Sequence, residues 1–207
     1  MKNIFLLLAL FFTEIVFGQA VSPFETIETV EADGITFEVR RTEYTFMVCN
    51  TANSYVDKSN WCYKDGRELE TEEEYASVSA VRNKAGQNRA LREAFGDDVI
   101  KALRVYKNSP MSIFYAVSPD GTTLEVCFSM DAKPELLAIP MTTFAALEKK
   151  LKEYVTWQLN DFAKGLEFLH SFNFVFFEDV PLTSEIKVIR NPNLDFIRDG
   201  DLSGSLK

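Results

Sequence analysis

The clearest alternation of apolar and polar positions in this chain runs from Met111 to Phe177. In MSIFYAV, Ile113, Tyr115 and Val117 share one side. After Ser118-Pro119-Asp120-Gly121, the run TTLEVCFSM puts Leu124, Val126, Phe128 and Met130 on one side and Glu125, Cys127 and Ser129 on the other. A period of two marks a strand with one covered face, and Asp-Gly tolerates the positive φ of a tight turn. The two runs therefore predict a β-hairpin. Past Pro140 the period lengthens: Phe144, Leu147, Leu151, Tyr154 and Val155 form one stripe, with Glu148, Lys149, Lys152 and Glu153 outside it. That spacing predicts an amphipathic helix over residues 140–159, supported by the four-residue pairs Glu148 with Lys152 and Lys149 with Glu153. Alternation then returns in FLHSFNFVFF, with Phe168, His170, Phe172, Phe174 and Phe176 on one side and Leu169, Ser171, Asn173, Val175 and Phe177 on the other. The phenylalanine-rich side is expected to meet the helix.

Upstream, Asp33-Gly34 marks a turn before ITFEVRRTEYTFMVCN, a run rich in β-branched and aromatic residues that predicts one long, half-buried strand with Ile35, Phe37 and Val39 on its covered face. A further strand-like segment spans residues 55–63 and ends at another turn, Lys64-Asp65-Gly66-Arg67. The acidic run ELETEEE invites a metal-binding reading, but Thr71 followed three residues later by Glu74 is a capping box with an acidic first turn. Leu91, Phe95, Val99 and Leu103 recur at near-helical intervals, and Gly96-Asp97-Asp98 is expected to split that stretch into two short helices. Beyond Pro181 the chain turns polar, with residues 186–189 a candidate edge strand and DGDLSGSLK a frayed end.

Residues 1–20 change the picture. A single charge at Lys2, an apolar core from Ile4 to Phe12 and a small-residue end at Gly18-Gln19-Ala20 have the layout of a secretory leader, cleaved after Ala20 or after Gly18. The apolar run is interrupted by Glu14 and falls short of the roughly 20 residues a spanning helix needs. Export, to the periplasm or beyond, is the expectation, with no integral membrane segment in the mature chain. The formal charge of −9, which removal of Lys2 and Glu14 together leaves unchanged, argues against nucleic acid and anionic lipid as partners. Three cysteines are an odd number for an exported chain. Cys49 and Cys62 flank a polar segment, so a disulfide across a hairpin is one reading and three reduced thiols the other. No spacing fits zinc, and no cofactor motif occurs.

The order of helix, hairpin turning at Ser118-Pro119-Asp120-Gly121, amphipathic helix and final strand, with Trp157 near the helix end, resembles the C-terminal domain of TonB and its relatives. The resemblance covers residues 87–179. It implies an α+β fold: a small antiparallel or mixed sheet with an amphipathic helix on one face, in the order β-β-α-β, behind an N-terminal β-rich and helical extension. The chain departs from an energy transducer, since it has no Pro-rich linker and Trp157 is flanked by Tyr154, Val155, Thr156 and Gln158 rather than by arginines. It looks more like small exported bacterial proteins that carry a TonB-C-like sheet and helix. The expected division is leader 1–20, β-rich region 21–86, TonB-C-like domain 87–180 and tail 181–207.

No constellation of catalytic residues accompanies this pattern. His170 stands alone among phenylalanines, without a neighbouring nucleophile motif or metal partners, and reads as a packed side chain. The expected function is a non-enzymatic interaction module that recruits an envelope protein, or a second copy of itself, through a sheet edge. The alternative is a carrier of a small apolar ligand in a pocket between sheet and helix lined by Phe168, Phe172, Phe174, Phe144 and Tyr115.

Overall fold

The computed structural model describes residues 26–186. The leader-like residues 1–20 and most of the candidate edge strand at 186–189 lie outside them. Among the described residues eight strands and five α-helices occur in the order β1 (Thr26–Ala32), β2 (Ile35–Arg41), β3 (Thr45–Asn50), α1 (Glu72–Ala76), β4 (Ala80–Arg82), α2 (Lys84–Leu103), β5 (Met111–Val117), β6 (Thr123–Asp131), α3 (Pro134–Leu137), α4 (Met141–Tyr154), β7 (Trp157–Leu159), α5 (Asp161–Lys164) and β8 (Leu169–Val175). Six strands form one antiparallel sheet in the order β1-β2-β3-β6-β5-β8, and β4 pairs with β7 in a separate two-stranded ribbon. The fold is α+β.

The hairpins form where the turn chemistry asks for them. Asp33 and Gly34 both have positive φ, 50° and 77°, as a two-residue turn of type I′ requires, and Ala32 pairs with Ile35 across it. Gly121, at φ 84°, closes the β5–β6 turn. No side chain fits there, because a Cβ would lie 2.3 Å from the Trp157 carbonyl oxygen. The run expected as one long strand is itself a hairpin. The Thr42 hydroxyl accepts the N–H groups of Tyr44 and Thr45, at 3.1 and 2.9 Å, and this local bonding turns the chain between β2 and β3.

One face of the sheet is the floor of the core. Phe37, Val39, Phe46, Val48, Met111, Ile113, Tyr115, Val126, Phe128 and Met130 project from it, all buried. Helices α2 and α4 pack against each other over this floor, and Gly86 allows them to approach: a Cβ there would meet the Tyr154 carbonyl oxygen at 2.1 Å. Gly96 breaks the helical dihedrals within α2, as its position implied (φ 75°, ψ 161°). The Thr71–Glu74 capping box opens α1.

Several expectations are corrected. Helix α4 ends at Tyr154, because residues 157–159 leave it to pair with β4. Glu148 does not lie outside the helical stripe; it is buried, accepting from Asn50 Nδ2 at 2.9 Å and Lys152 Nζ at 2.6 Å. The expected boundary at 86/87 falls inside α2, and β3 pairs directly with β6, so β1–β3 extend the same sheet rather than forming a separate region. Residues 55–63 form no strand of the main sheet. The start of the tail is docked: Arg104 donates to Glu185 at 2.7 and 2.9 Å, and Asp97 accepts from the Thr183 N–H at 3.0 Å.

Candidate interaction surface on the outer face of the sheet

The other face of the sheet, turned away from α2 and α4, carries most of the chemistry that the helix-side core lacks. Register fixes its members. Phe114 pairs with Cys127 in β6 and with Phe172 in β8; Ala116 pairs with Glu125 and with His170; Ser112 pairs with Phe174. Side chains of paired residues share a face. Cys49, opposite Cys127, lies on that outer face too.

Residues 51–58 cross one end of this face, and Glu125 holds them there. Its Oε1 accepts the Ser54 N–H at 2.7 Å, and its Oε2 accepts those of Tyr55 and Val56 at 2.7 and 3.0 Å. Asn53 Nδ2 adds a bond to the Val126 carbonyl at 2.8 Å. A buried carboxylate is tolerated when charge-assisted hydrogen bonds fill its oxygens, as they do here. The His170 imidazole meets the Tyr55 carbonyl oxygen through Nε2 at 2.7 Å, consistent with a protonated Nε2, and stacks beside Phe168, 5.1 Å away between ring centres. The one histidine is thus a strut between loop and strand. Sequence reasoning missed Glu125. Its signal was a carboxylate in the middle of an apolar strand, at a position the alternation assigned to solvent.

The disulfide joins Cys49 to Cys127, not Cys49 to Cys62. These two cysteines face each other across adjacent antiparallel strands with Cα atoms 4.5 Å apart, the separation of directly opposed residues in a non-hydrogen-bonded pair. Cys62 keeps a free thiol. The sequence separation of 78 residues hid the pairing, since it depends on strand neighbours rather than on proximity in the chain.

Beyond the loop the outer face is bare. Phe114, Phe172, Phe174 and Phe176 are 37%, 45%, 58% and 42% exposed, and the rings of Phe172 pack on Phe114 and Phe174 at 4.7 Å each. A cavity of about 320 Å³ sits where the loop ends, lined by Val56, Phe114, His170 and Phe172, with Tyr115 and Ser171 at its base. Among the described residues β8 pairs with β5 alone, so its other edge is open, and it contains no lysine, arginine, aspartate or glutamate.

The five aromatic residues expected to line one pocket are therefore divided. Phe144 and Tyr115 are buried on the helix side, in ring contact with Phe128 and Trp157 at 5.6 and 5.2 Å. Phe168 is buried beneath Tyr55, and Phe172 and Phe174 stand on the outer face. The face of β8 that meets the helices is the one bearing Leu169, Ser171, Asn173 and Val175, because Leu169 and Val175 pair with the buried Val117 and Met111. A pocket between sheet and helix built from the five does not exist.

Polar groups on the helix side bond to one another. The Tyr115 hydroxyl donates to Gln87 Oε1 at 2.8 Å, and burial pushes its pKa well above the usual phenol range. Arg82 donates to the same oxygen at 2.5 Å, and Trp157 Nε1 donates to Thr123 Oγ1 at 3.1 Å. Among the described residues no three of histidine, cysteine, aspartate and glutamate come together in a group able to hold a metal ion. No described helix is long and apolar enough to cross a membrane.

No protein-family model matches the chain, and no curated protein matches it. Among solved structures, the crystal structure of a DUF5043 family protein from Bacteroides uniformis is similar, with a TM-score of 0.57 over 75% of this chain and 94% of that one, at 18% identity. At that identity the likeness is one of fold. The TonB-like reading gains nothing from this neighbour and rests on the order of elements alone.

Proposed function

We propose that the protein is an exported, non-enzymatic interaction module that uses the open edge of β8 to take up an extended segment of an envelope protein or of a second copy of this chain. One observation carries this: among the described residues, an unshared, uncharged strand edge coincides with exposed phenylalanines on the same strand. Edge strands are ordinarily blunted by charge, proline or a covering element, and β8 has no charge within it. An added strand gains main-chain hydrogen bonds, and its alternate side chains fall on the two faces of the sheet. Outer-face positions would lie beside Phe172 and Phe174, helix-side positions beside Ser171 and Asn173. The segment that fits alternates bulky apolar with small polar residues. Export is supported by the leader-like pattern of residues 1–20, and the TonB-like assignment by the helix, hairpin, helix and strand order of α2, β5, β6, α4 and β8.

Panning a displayed library of extended peptides against the chain tests the reading. Alternating apolar sequences are expected to be enriched on the native chain and lost on a Phe172→Glu, Phe174→Glu double variant. Enrichment that survives in the double variant, or none on the dilute monomer, defeats the proposal.

A further inference from the structure

We infer that the strand which fits the β8 edge is β8 of a second copy of this chain, laid antiparallel across a two-fold axis at Asn173. This rests on the edge-pairing reading above and names its partner. The usable length of edge sets the register. Before β8 the backbone is already engaged, with the Glu167 N–H donating to the Cys62 carbonyl at 2.8 Å and the Lys64 N–H to the Gly165 carbonyl at 3.2 Å. His170 marks the end of the loop-covered part, through its bond to Tyr55. At the other end Phe176 is still extended (φ −96°, ψ 107°) before the chain turns into a short 3-10 helix. The free span is therefore 170–176, centred on Asn173.

That register is self-complementary on both faces. On the outer face Phe172 stands opposite the second copy's Phe174, and His170 opposite the second copy's Phe176, each pair occurring twice by symmetry. The cavity of about 320 Å³ lies between Val56, Phe114, His170 and Phe172, the place to which the second copy brings those two rings. Phe174 in β8 and Phe176 just past its end are both exposed, so the same stretch of chain carries both the projecting rings and the recess that takes them. An isologous interface requires that combination. On the helix side Asn173 stands opposite its own copy and Ser171 opposite the second copy's Val175, which is already buried in its own core, so the polar Ser171 and Asn173 are what that side presents. No charge within β8 opposes the meeting of two chains that each carry −9. Cross-strand aromatic pairs add to the gain.

Sedimentation of the native chain over a wide concentration series tests this, with a dimer expected. Phe174→Lys, at an exposed position, and Val56→Trp, which fills the recess, are each expected to weaken self-association about tenfold or more. Their unfolding midpoints, measured on the dilute monomer, should stay at the native value. In a Cys62→Ser background, Asn173→Cys should form an intermolecular disulfide on oxidation, whereas Ser171→Cys should not. A chain that stays monomeric throughout overturns the inference, as does a dimer indifferent to both variants or one crosslinked at 171 and not at 173. If the monomer still selects extended peptides at β8, the edge reading survives without the second copy. If it selects none, both fall.

Discussion

The two faces of the sheet are built from the same kind of residue and meet opposite fates. On the helix side Phe37 and Phe128 are fully buried beneath α2 and α4; on the outer side Phe172 packs against Phe114 and Phe174 in the open. Phenylalanine content did not decide which face became core. Closure did: α2 and α4 supply enough apolar surface for one face, while among the described residues the other receives only the loop at residues 51–58, fastened by the Glu125 carboxylate, the Asn53 amide and His170. The helix side is held by burial, the outer side by specific bonds.

Substituting the same residue type on each face sharpens that contrast most. Phe128→Ala should cost about 3–5 kcal/mol, the loss of a buried ring plus the cavity it leaves. Phe174→Ala should fall within about 0.5 kcal/mol in the dilute chain. Denaturant unfolding of the two variants measures both, and equal losses would erase the distinction. Next in size is the outer-face crosslink. Cys49→Ser with Cys127→Ser should lower stability by about 2–4 kcal/mol, and non-reducing peptide mapping should recover a Cys49–Cys127 pair with Cys62 alkylated. Recovery of a Cys49–Cys62 peptide would refute the strand pairing.

Glu125→Ala should cost about 1–3 kcal/mol by removing the charged acceptor shared by the Ser54, Tyr55 and Val56 N–H groups. Hydrogen exchange at Ser54, Tyr55 and Val56 should quicken while Phe128 and Ile113 remain protected. Uniform acceleration would mean that loop and core are one cooperative unit.

The smallest effect is acidic. The Arg104 guanidinium, with the Leu182 N–H, holds the Glu185 carboxyl down at about 2 from an ordinary 4.5. Lys150 and Arg89 likewise hold Glu93 at about 2. A depressed carboxyl contributes its stability in full above the unfolded value. That contribution is lost as pH falls from about 4.5 through about 2. Titration of the Glu185 side-chain carbon by NMR should show the low midpoint, with protection at Leu182 declining over the same window. An ordinary midpoint would show that the 181–186 segment is not held by Arg104.

Much of the fold was legible because local rules carry it. Asp33-Gly34 and Asp120-Gly121 announced their turns through positive φ, Thr71 and Glu74 announced a helix start, and Gly96 announced the break in α2. The Thr42 turn was missed because Thr-Glu-Tyr-Thr within a β-rich run offers no Gly or Pro, only a hydroxyl that captures two N–H groups. The end of α4 was misplaced because the stripe through Tyr154 and Val155 continues into Trp157, which a partner strand draws out of the helix. For the candidate surface, the alternation grouped Phe172 and Phe174 on one face of the last strand but assigned that face to the helix, and it left Glu125 to solvent.

By itself the sequence determined the alternation of β5, β6 and β8, the hairpin turns between neighbours, and an uncharged final strand, since each depends on residues a few positions apart. Only the tertiary structure decided which side of β8 faces the helices, that β3 lies beside β6, and hence that Cys49 meets Cys127 and Glu125 meets residues 54–56. A period of two defines two faces without naming the covered one. The choice came from the register with β5, whose Met111 and Val117 commit Val175 and Leu169 to the core and turn the phenylalanines outward.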